Sequence, residues 1–489
     1  MNRTLSPDSL AEIDTRLKPA HQAYERQYPG APGGRQPVHT VYGGAHLFRA
    51  DTSRRLGDLA LRSLDEFAPD FSAFAKAISL PGAEHLPDDP HAVISIAKSI
   101  EGNLAAARLE NQPAWFAHTL YRRVREKLQR EPVEDFRIDF EDGYGNRPDD
   151  EEDAHAAAAA AEVTAGMSAA SLPPFIGIRV KPFTEELRAR GIRTIDVFLT
   201  ALAENTRGVM PDNFCITLPK ITLPEEVAAL AEICSRLEPA LGLGPGSLRI
   251  ELMIETPQSI FNERGEVNLA HLVAAGRGRC IAAHFGTYDY TAGRSITAAH
   301  QHMTHFACDF AREVMQVALA GTGVWLSDGA TNILPVAPYR AQGNGNPLTP
   351  RQAADNGSAV HRAWKLHFDH VRHSLENGYY QGWDLHPAQL PTRYAAVYSF
   401  FLRSLDAASE RLRNFVEKAA QATMLGEVFD DAATGQGLLN YFLRAINCGA
   451  VTAAETQTLT GLSLAELRTA SFVKILQKRS ARSPIPGGP

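Results

Sequence analysis

Two neighbouring stretches decide the fold: LRIELMIETPQSIF at residues 248–261 and GRCIAAHFGTYDYTA at residues 278–292. In the first, Ile250, Leu252 and Ile254 alternate with Glu251 and Met253, and Glu255-Thr256-Pro257 ends the run. In the second, Cys280 to Ala283 are apolar, Gly286 loosens the backbone, and Asp289 follows. Alternation marks a strand, and a proline or glycine at its edge marks where it stops. A spacer of roughly twenty residues suits one crossover helix, which parallel neighbours require. This predicts Glu255 and Asp289 side by side at the carboxyl ends of adjacent strands, where parallel α/β proteins carry their chemistry. Glu255 is expected at a solvent-facing strand end. Two carboxylates with room for water suit a hard cation of the Mg2+ type. The plainer alternative is two surface acids at the starts of loops.

Upstream, VHTVYGGAHLF (38–48), DFRIDFEDGYGNRPDDEEDAHAAAAAAE (135–162), FIGIRVKPF (175–183) and NFCITLPKI (213–221) supply four more strand candidates. Downstream, VWLSDGA (324–330) and YYQGWDLHP (379–387) supply the last two. Helical segments alternate with these runs, so the pattern predicts a closed parallel (β/α)8 TIM barrel. An open doubly wound sheet competes, but no G-x-G-x-x-G follows the first strand. The acidic run Asp149 to Asp153 reads as a helix amino terminus complementing its dipole.

Residues 1–36 read as an N-terminal extension and 37–390 as the TIM-barrel catalytic domain, with a helical insertion at about 51–134. Within the insertion, HAVISIAK (91–98) could be a short extra strand or a buried turn. GNGNPLTPRQAADNG (343–357) reads as a surface loop. Residues 391–489 read as a C-terminal helical domain, with SARSPIPGGP (480–489) a disordered tail.

The formal net charge of −7 leaves no basic footprint for nucleic acid. Five cysteines lie far apart without a C-x-x-C pair, which suggests neither disulfides nor a zinc site. No signal-peptide core and no run of about 18 apolar residues occurs, so a cytoplasmic protein without a membrane partner is expected.

The motifs IDFEDGYGNRPDDEEDAHA, GIRVKPF, LPKI, ELMIETP, FGTYDY and GYYQGWDLHPAQ, in that order, resemble one superfamily. It contains citrate lyase β-subunit-like proteins, malyl-CoA lyases, metal-dependent 2-oxo-acid aldolases and malate synthases. The resemblance covers roughly residues 38–390, one motif per strand end. It implies Glu255 and Asp289 as metal ligands, and Arg179 as the arginine that binds the oxygen where enolate charge develops. It implies Asp139 and Glu141 as acids close to the metal, acting through its waters. Lys220 and His386 are candidate substrate-binding residues. FDDAAT (429–434) resembles the malate synthase segment that brings an aspartate base over the barrel mouth, which makes Asp431 the candidate base.

The function implied is a metal-dependent carbon–carbon lyase acting on a 2-oxo or 3-hydroxy acid through a Mg2+-bound enolate, with Mn2+ as the other metal. Homo-oligomers are frequent in the superfamily. No pantetheine or adenine signature supports a CoA thioester. A phosphoenolpyruvate- or pyruvate-handling phosphotransferase and a non-catalytic ligand-binding barrel are the alternatives. A strand-end lysine, Lys181 or Lys220, could instead form a Schiff base with a 2-oxo acid. Each residue also has a plain reading: helix-capping acids at Asp139 and Glu141, a helix-opening acid at Asp431, hydrogen-bonded core histidines at His386 and His284.

Overall fold

Eight parallel strands close on themselves in chain order: β1 His39–Gly44, β2 Asp135–Asp139, β3 Phe175–Arg179, β4 Phe214–Leu218, β5 Arg249–Ile254, β6 Cys280–Phe285, β7 Trp325–Ala330 and β8 Gln381–Asp384. This is the expected (β/α)8 barrel, with every strand where alternation put it. The structure, a computed structural model, describes residues 7–30, 34–341, 347–417, 423–425, 428–430, 432–469 and 474–475.

The alternation has a direction. Phe136, Ile138, Ile176, Ile178, Ile216, Ile250 and Leu252 belong to the core shared with the helices. The intervening residues point inside, and many there are polar or charged. Arg137 on β2 reaches Glu251 on β5 at 3.0 Å, and the Tyr42 hydroxyl on β1 reaches His284 Nδ1 on β6 at 3.0 Å. Bonds between non-adjacent strands must cross the barrel. Thr40 joins Asp135 at 3.0 Å, and Thr217 joins Glu251 at 2.7 Å, so the interior is hydrogen-bonded rather than filled by aliphatic layers.

The acidic run opens the helix Asp149–Ala169, as expected, and also braces its neighbours. Buried Glu152 accepts from Lys181 Nζ at 2.6 Å and from the Thr194 hydroxyl at 2.6 Å. Asp153 holds Arg193 at 2.5 Å.

Three local expectations are corrected. HAVISIAK is neither strand nor turn but part of the helix Pro90–Gly102, because Asp89 caps Ala92 N at 2.8 Å and Pro90 sits at the first helical turn. Of the expected loop 343–357, residues 343–346 lie outside the described residues and 347–349 are loop, but 350–357 are helix. Thr349 and Gln352 form a capping box that opens the long helix Pro350–Glu376. The β5–β6 crossover is two short helices, Pro257–Ile260 and Leu269–Ala275, with a bridge between Phe261 and Val267. The Asn262 side chain accepts from Arg264 N and Glu266 N at 3.0 Å, and Gly265 takes φ +74°, so the chain turns where one helix was expected.

Five helices span 52–130 between β1 and β2. After β8 come the helices Leu390–Glu417, Ala432–Asn447, Ala453–Thr460 and Leu464–Leu467, with an unexpected antiparallel pair, Thr423–Leu425 and Val428–Asp430. Residues 480–489 lie outside the described residues. Among the described residues, no helix is long and apolar enough to cross a membrane.

Candidate active site

The carboxyl ends of β2 to β6 bring most of the expected residues together. Asp139 and Arg179 are register partners on β2 and β3. Arg179 Nε donates to Asp139 Oδ1 at 2.7 Å and Nη2 donates to Oδ2 at 2.5 Å, a planar two-point grip. The same carboxylate accepts from Glu141 N at 3.0 Å and Gly143 N at 2.7 Å. Asp139 is therefore committed to the turn and to Arg179. The turn needs Gly143, since a Cβ there would lie 2.6 Å from Asp139 Oδ2.

Aromatic rings complete the hold on Arg179. Its guanidinium carbon lies 4.7 Å from the centre of the Tyr42 ring and 5.5 Å from that of Trp383. Neither ring was singled out from the sequence. Both occupy inward positions of their strands, Tyr42 two residues after Thr40 and Trp383 two after Gln381, so strand parity was the signal available.

Glu255 departs from expectation: it is only 2% exposed, buried where β5 ends. Gly286 allows this, because a Cβ there would lie 2.5 Å from Glu255 Cβ. Burial pushes the Glu255 carboxyl up to about 7, with Lys220 opposing the rise and Asp289 adding to it. Asp289 opens the short helix Thr287–Gly293 and is 45% exposed.

Lys220 ties these acids together. Its backbone takes φ +51°, a costly conformation for a side chain of this size. In return, Lys220 N donates to Glu255 Oε1 at 2.7 Å. Its ammonium bonds Glu141, lies 3.0 Å from Asp142 and comes within 3.8 Å of Asp289. Burial works against the Lys220 charge, but Glu255 and Glu141 outweigh it and raise its pKa above the ordinary lysine value.

Two buried polar atoms at this site make no hydrogen bond, Glu141 Oε2 and Arg179 Nη1. They lie 3.1 Å apart as an ion pair without hydrogen-bond alignment, so each keeps capacity for a ligand group. Five acids (Asp139, Glu141, Asp142, Glu255, Asp289) face two bases, Arg179 and Lys220. That excess of negative charge, with an orphaned acceptor, fits a divalent cation. Among the described residues, no three His, Cys, Asp or Glu side chains form a complete metal cage.

Other candidates lie elsewhere. His386 Nδ1 accepts from Ala388 N at 3.1 Å and caps the turn Pro387–Gln389, and its ring lines a different cavity with Leu59 and Tyr339. Lys181 is bound to Glu152 and to Phe140 O at 2.9 Å. His284 is fully buried between Tyr42 and Asp328 O. Asp431 lies outside the described residues.

The family described as "Domain of unknown function (DUF6986)" matches residues 17–475. Among solved structures, a citrate lyase from Burkholderia xenovorans LB400 is similar at 19% identity and a TM-score of 0.49, covering 70% of this chain and 92% of that one. CitE from Mycobacterium tuberculosis, in complex with magnesium, acetoacetate and coenzyme A, is similar at 15% identity and 0.39, over 68% of this chain and 95% of that one. Malate synthase from Haloferax volcanii, in its pyruvate and acetyl-CoA ternary complex, gives 16% and 0.38, over 75% and 94%. The group suggested by the sequence motifs thus recurs among structural neighbours. Identities this low and TM-scores under 0.5 carry no activity across to this chain.

Proposed function

The chain belongs to the DUF6986 family, whose description assigns no activity, and we propose that it is a metal-dependent carbon–carbon lyase acting on a 2-oxo or 3-hydroxy acid. One observation carries this reading: a fixed arginine whose Nη1 makes no hydrogen bond stands 3.1 Å from a Glu141 oxygen that likewise makes none, near the buried acid Glu255. Glu255 and Asp289 would hold a divalent cation such as Mg2+, which supplies Lewis-acid polarisation of a keto oxygen when bound. Arg179 does the rest of the charge work. Its Nε and Nη2 are locked on Asp139, so Nη1 is already aimed when negative charge develops on a substrate oxygen. In the cleavage direction, a base takes the proton of the substrate hydroxyl, that oxygen becomes the carbonyl of one fragment, and the electron pair of the broken carbon–carbon bond ends as the enolate of the other, to whose oxygen Nη1 donates. Tyr42 and Trp383 stop the guanidinium from turning away.

The lysine alternative is less well supported. Lys181 is pinned by Glu152, and Lys220 is held charged by its acids, whereas a Schiff base needs a neutral amine.

Proton exchange tests the proposal directly. Pyruvate in D2O with the protein and Mg2+ should lose its methyl protons by NMR, and chelation should stop the exchange. Arg179→Lys should slow it about 100-fold, the scale of one lost oxyanion donor. If no member of a 2-oxo-acid panel exchanges faster than in buffer, the lyase reading is wrong.

A further inference from the structure

The opposite end of the barrel holds a second cavity of about 470 Å3. It lies below the amino-terminal ends of β1, β7 and β8, against the helix Ala432–Asn447. Its wall is largely apolar and includes Val324, Trp325, Leu326, Val397, Phe401 and Leu443. Gln316, Asn440 and Asn447 add polar groups to this wall, and an apolar pocket of this size with polar groups on it is the usual shape of a small-molecule site. Arg444 is the one charged side chain among the described residues that line it.

Arg444 is half-buried and, among the described residues, meets no aspartate or glutamate, unlike the buried arginines of this chain. Arg137, Arg179, Arg279, Arg312 and Arg393 each meet an aspartate or glutamate. Arg444 instead donates from Nη1 to the neutral Gln36 Oε1 at 3.1 Å and stacks 3.9 Å from the centre of the Tyr380 ring. Gln36 cannot turn to offer more, because its Nε2 is held by Leu326 O at 3.1 Å and Gln381 Oε1 at 3.3 Å. Among the described residues Nε and Nη2 have no hydrogen-bond acceptor. Burial without a countercharge lowers the Arg444 pKa from its ordinary value. A guanidinium placed this way is matched by a planar anion.

We propose that this cavity binds a small amphipathic carboxylate, its acid on the Arg444 fork and its apolar body against Trp325 and Phe401. The carboxylate supplies the two coplanar acceptors the fork lacks. An inorganic anion would leave the apolar wall unfilled, and a neutral apolar molecule would leave Arg444 uncompensated.

Calorimetry on the full chain tests this with octanoate, octanol and inorganic phosphate as probes. Octanoate should bind at least tenfold more tightly than either of the others. Arg444→Gln should weaken octanoate about tenfold or more, the scale of a charge-assisted hydrogen bond, and leave octanol unchanged. Arg444→Lys should recover part of the loss. Val324→Phe, which fills the cavity and leaves Arg444 in place, should abolish octanoate binding, and this holds the test open if Arg444→Gln does not fold. Undiminished octanoate affinity in Arg444→Gln or in Val324→Phe, or octanol binding as tight as octanoate, overturns the assignment.

Discussion

Glu255 is the residue on which the proposed chemistry leans hardest. It is an acid in a dry setting, kept there by the Lys220 N–H and by the small Gly286. Glu255→Gln keeps the acceptor and the shape and removes the charge, so it should lower Mg2+ affinity about 100-fold with little change in unfolding temperature. Glu255→Ala should also leave Lys220 N unpaired, at a cost of about 1–3 kcal/mol. Titration calorimetry with Mg2+ and thermal unfolding separate the two effects. Equal Mg2+ affinity in Glu255→Gln and the parent would show that the cation sits elsewhere. His284 carries a different prediction. Burial, more than its charged neighbours, pulls its pKa down to about 4. The unfolded histidine titrates near 6.5, so the stability gained by keeping it neutral is fully present above that value. It is lost as pH falls from there towards 4, up to about 3 kcal/mol. Urea titrations of His284→Gln should show a flatter decline over that interval. A decline as steep as the parent's would assign the pH dependence to another group.

At the scale of the element, the strand-end turns matter more than the strands. β5 and β6 deliver Glu255 and Asp289, but Gly286 sets how closely the two ends approach. A Cβ at Gly286 would fall 2.5 Å from Glu255 Cβ and 2.6 Å from Oε2, so Gly286→Ala must displace the carboxylate. The expected result is weaker Mg2+ binding and a stability loss of about 1–3 kcal/mol, read by calorimetry and urea unfolding. Retained Mg2+ affinity would mean that the turn is not what positions Glu255. The strands were legible because apolar–polar alternation and its end are carried by consecutive residues. The helix Pro90–Gly102 and the start of the helix Pro350–Glu376 were less so. In HAVISIAK a helix face and a buried strand share one apolar run, and only the Asp89 cap separates them.

For the whole molecule, the unusual feature is the polar barrel interior. Arg137 is bonded to Asp135, and it meets Glu251 at 3.0 Å, all three buried. Removing one partner of a buried pair strands the others, so Arg137→Met should cost about 3–5 kcal/mol. Neutralising the acids as well, in Arg137→Met/Asp135→Asn/Glu251→Gln, should restore much of that. Urea midpoints of the single and triple variants check this, and a triple variant no more stable than Arg137→Met would remove the electrostatic explanation. A more exposed pair ties the C-terminal helices to the insertion: Arg123 on the helix Gln112–Arg130 holds Ala450 O and bonds Glu455 at 2.6 Å.

The sequence by itself determined the eight strands, their order and the barrel, since each strand announces its own period and its own stop. It also placed Glu255, Asp289, Arg179, Asp139, Glu141 and Lys220 at one end, because strand ends of a parallel barrel share a face. Only the tertiary structure decided how they meet. The burial of Glu255 depends on a glycine one strand away, and the grip on Arg179 depends on Tyr42 and Trp383 from β1 and β8. Lys220 reaches acids from three loops, and Arg444 faces Gln36 from the other end of the chain. Periodicity records which side of a strand a residue takes. It holds no record of what stands across the closed barrel, because that partner is set by register and closure, which belong to all the strands at once.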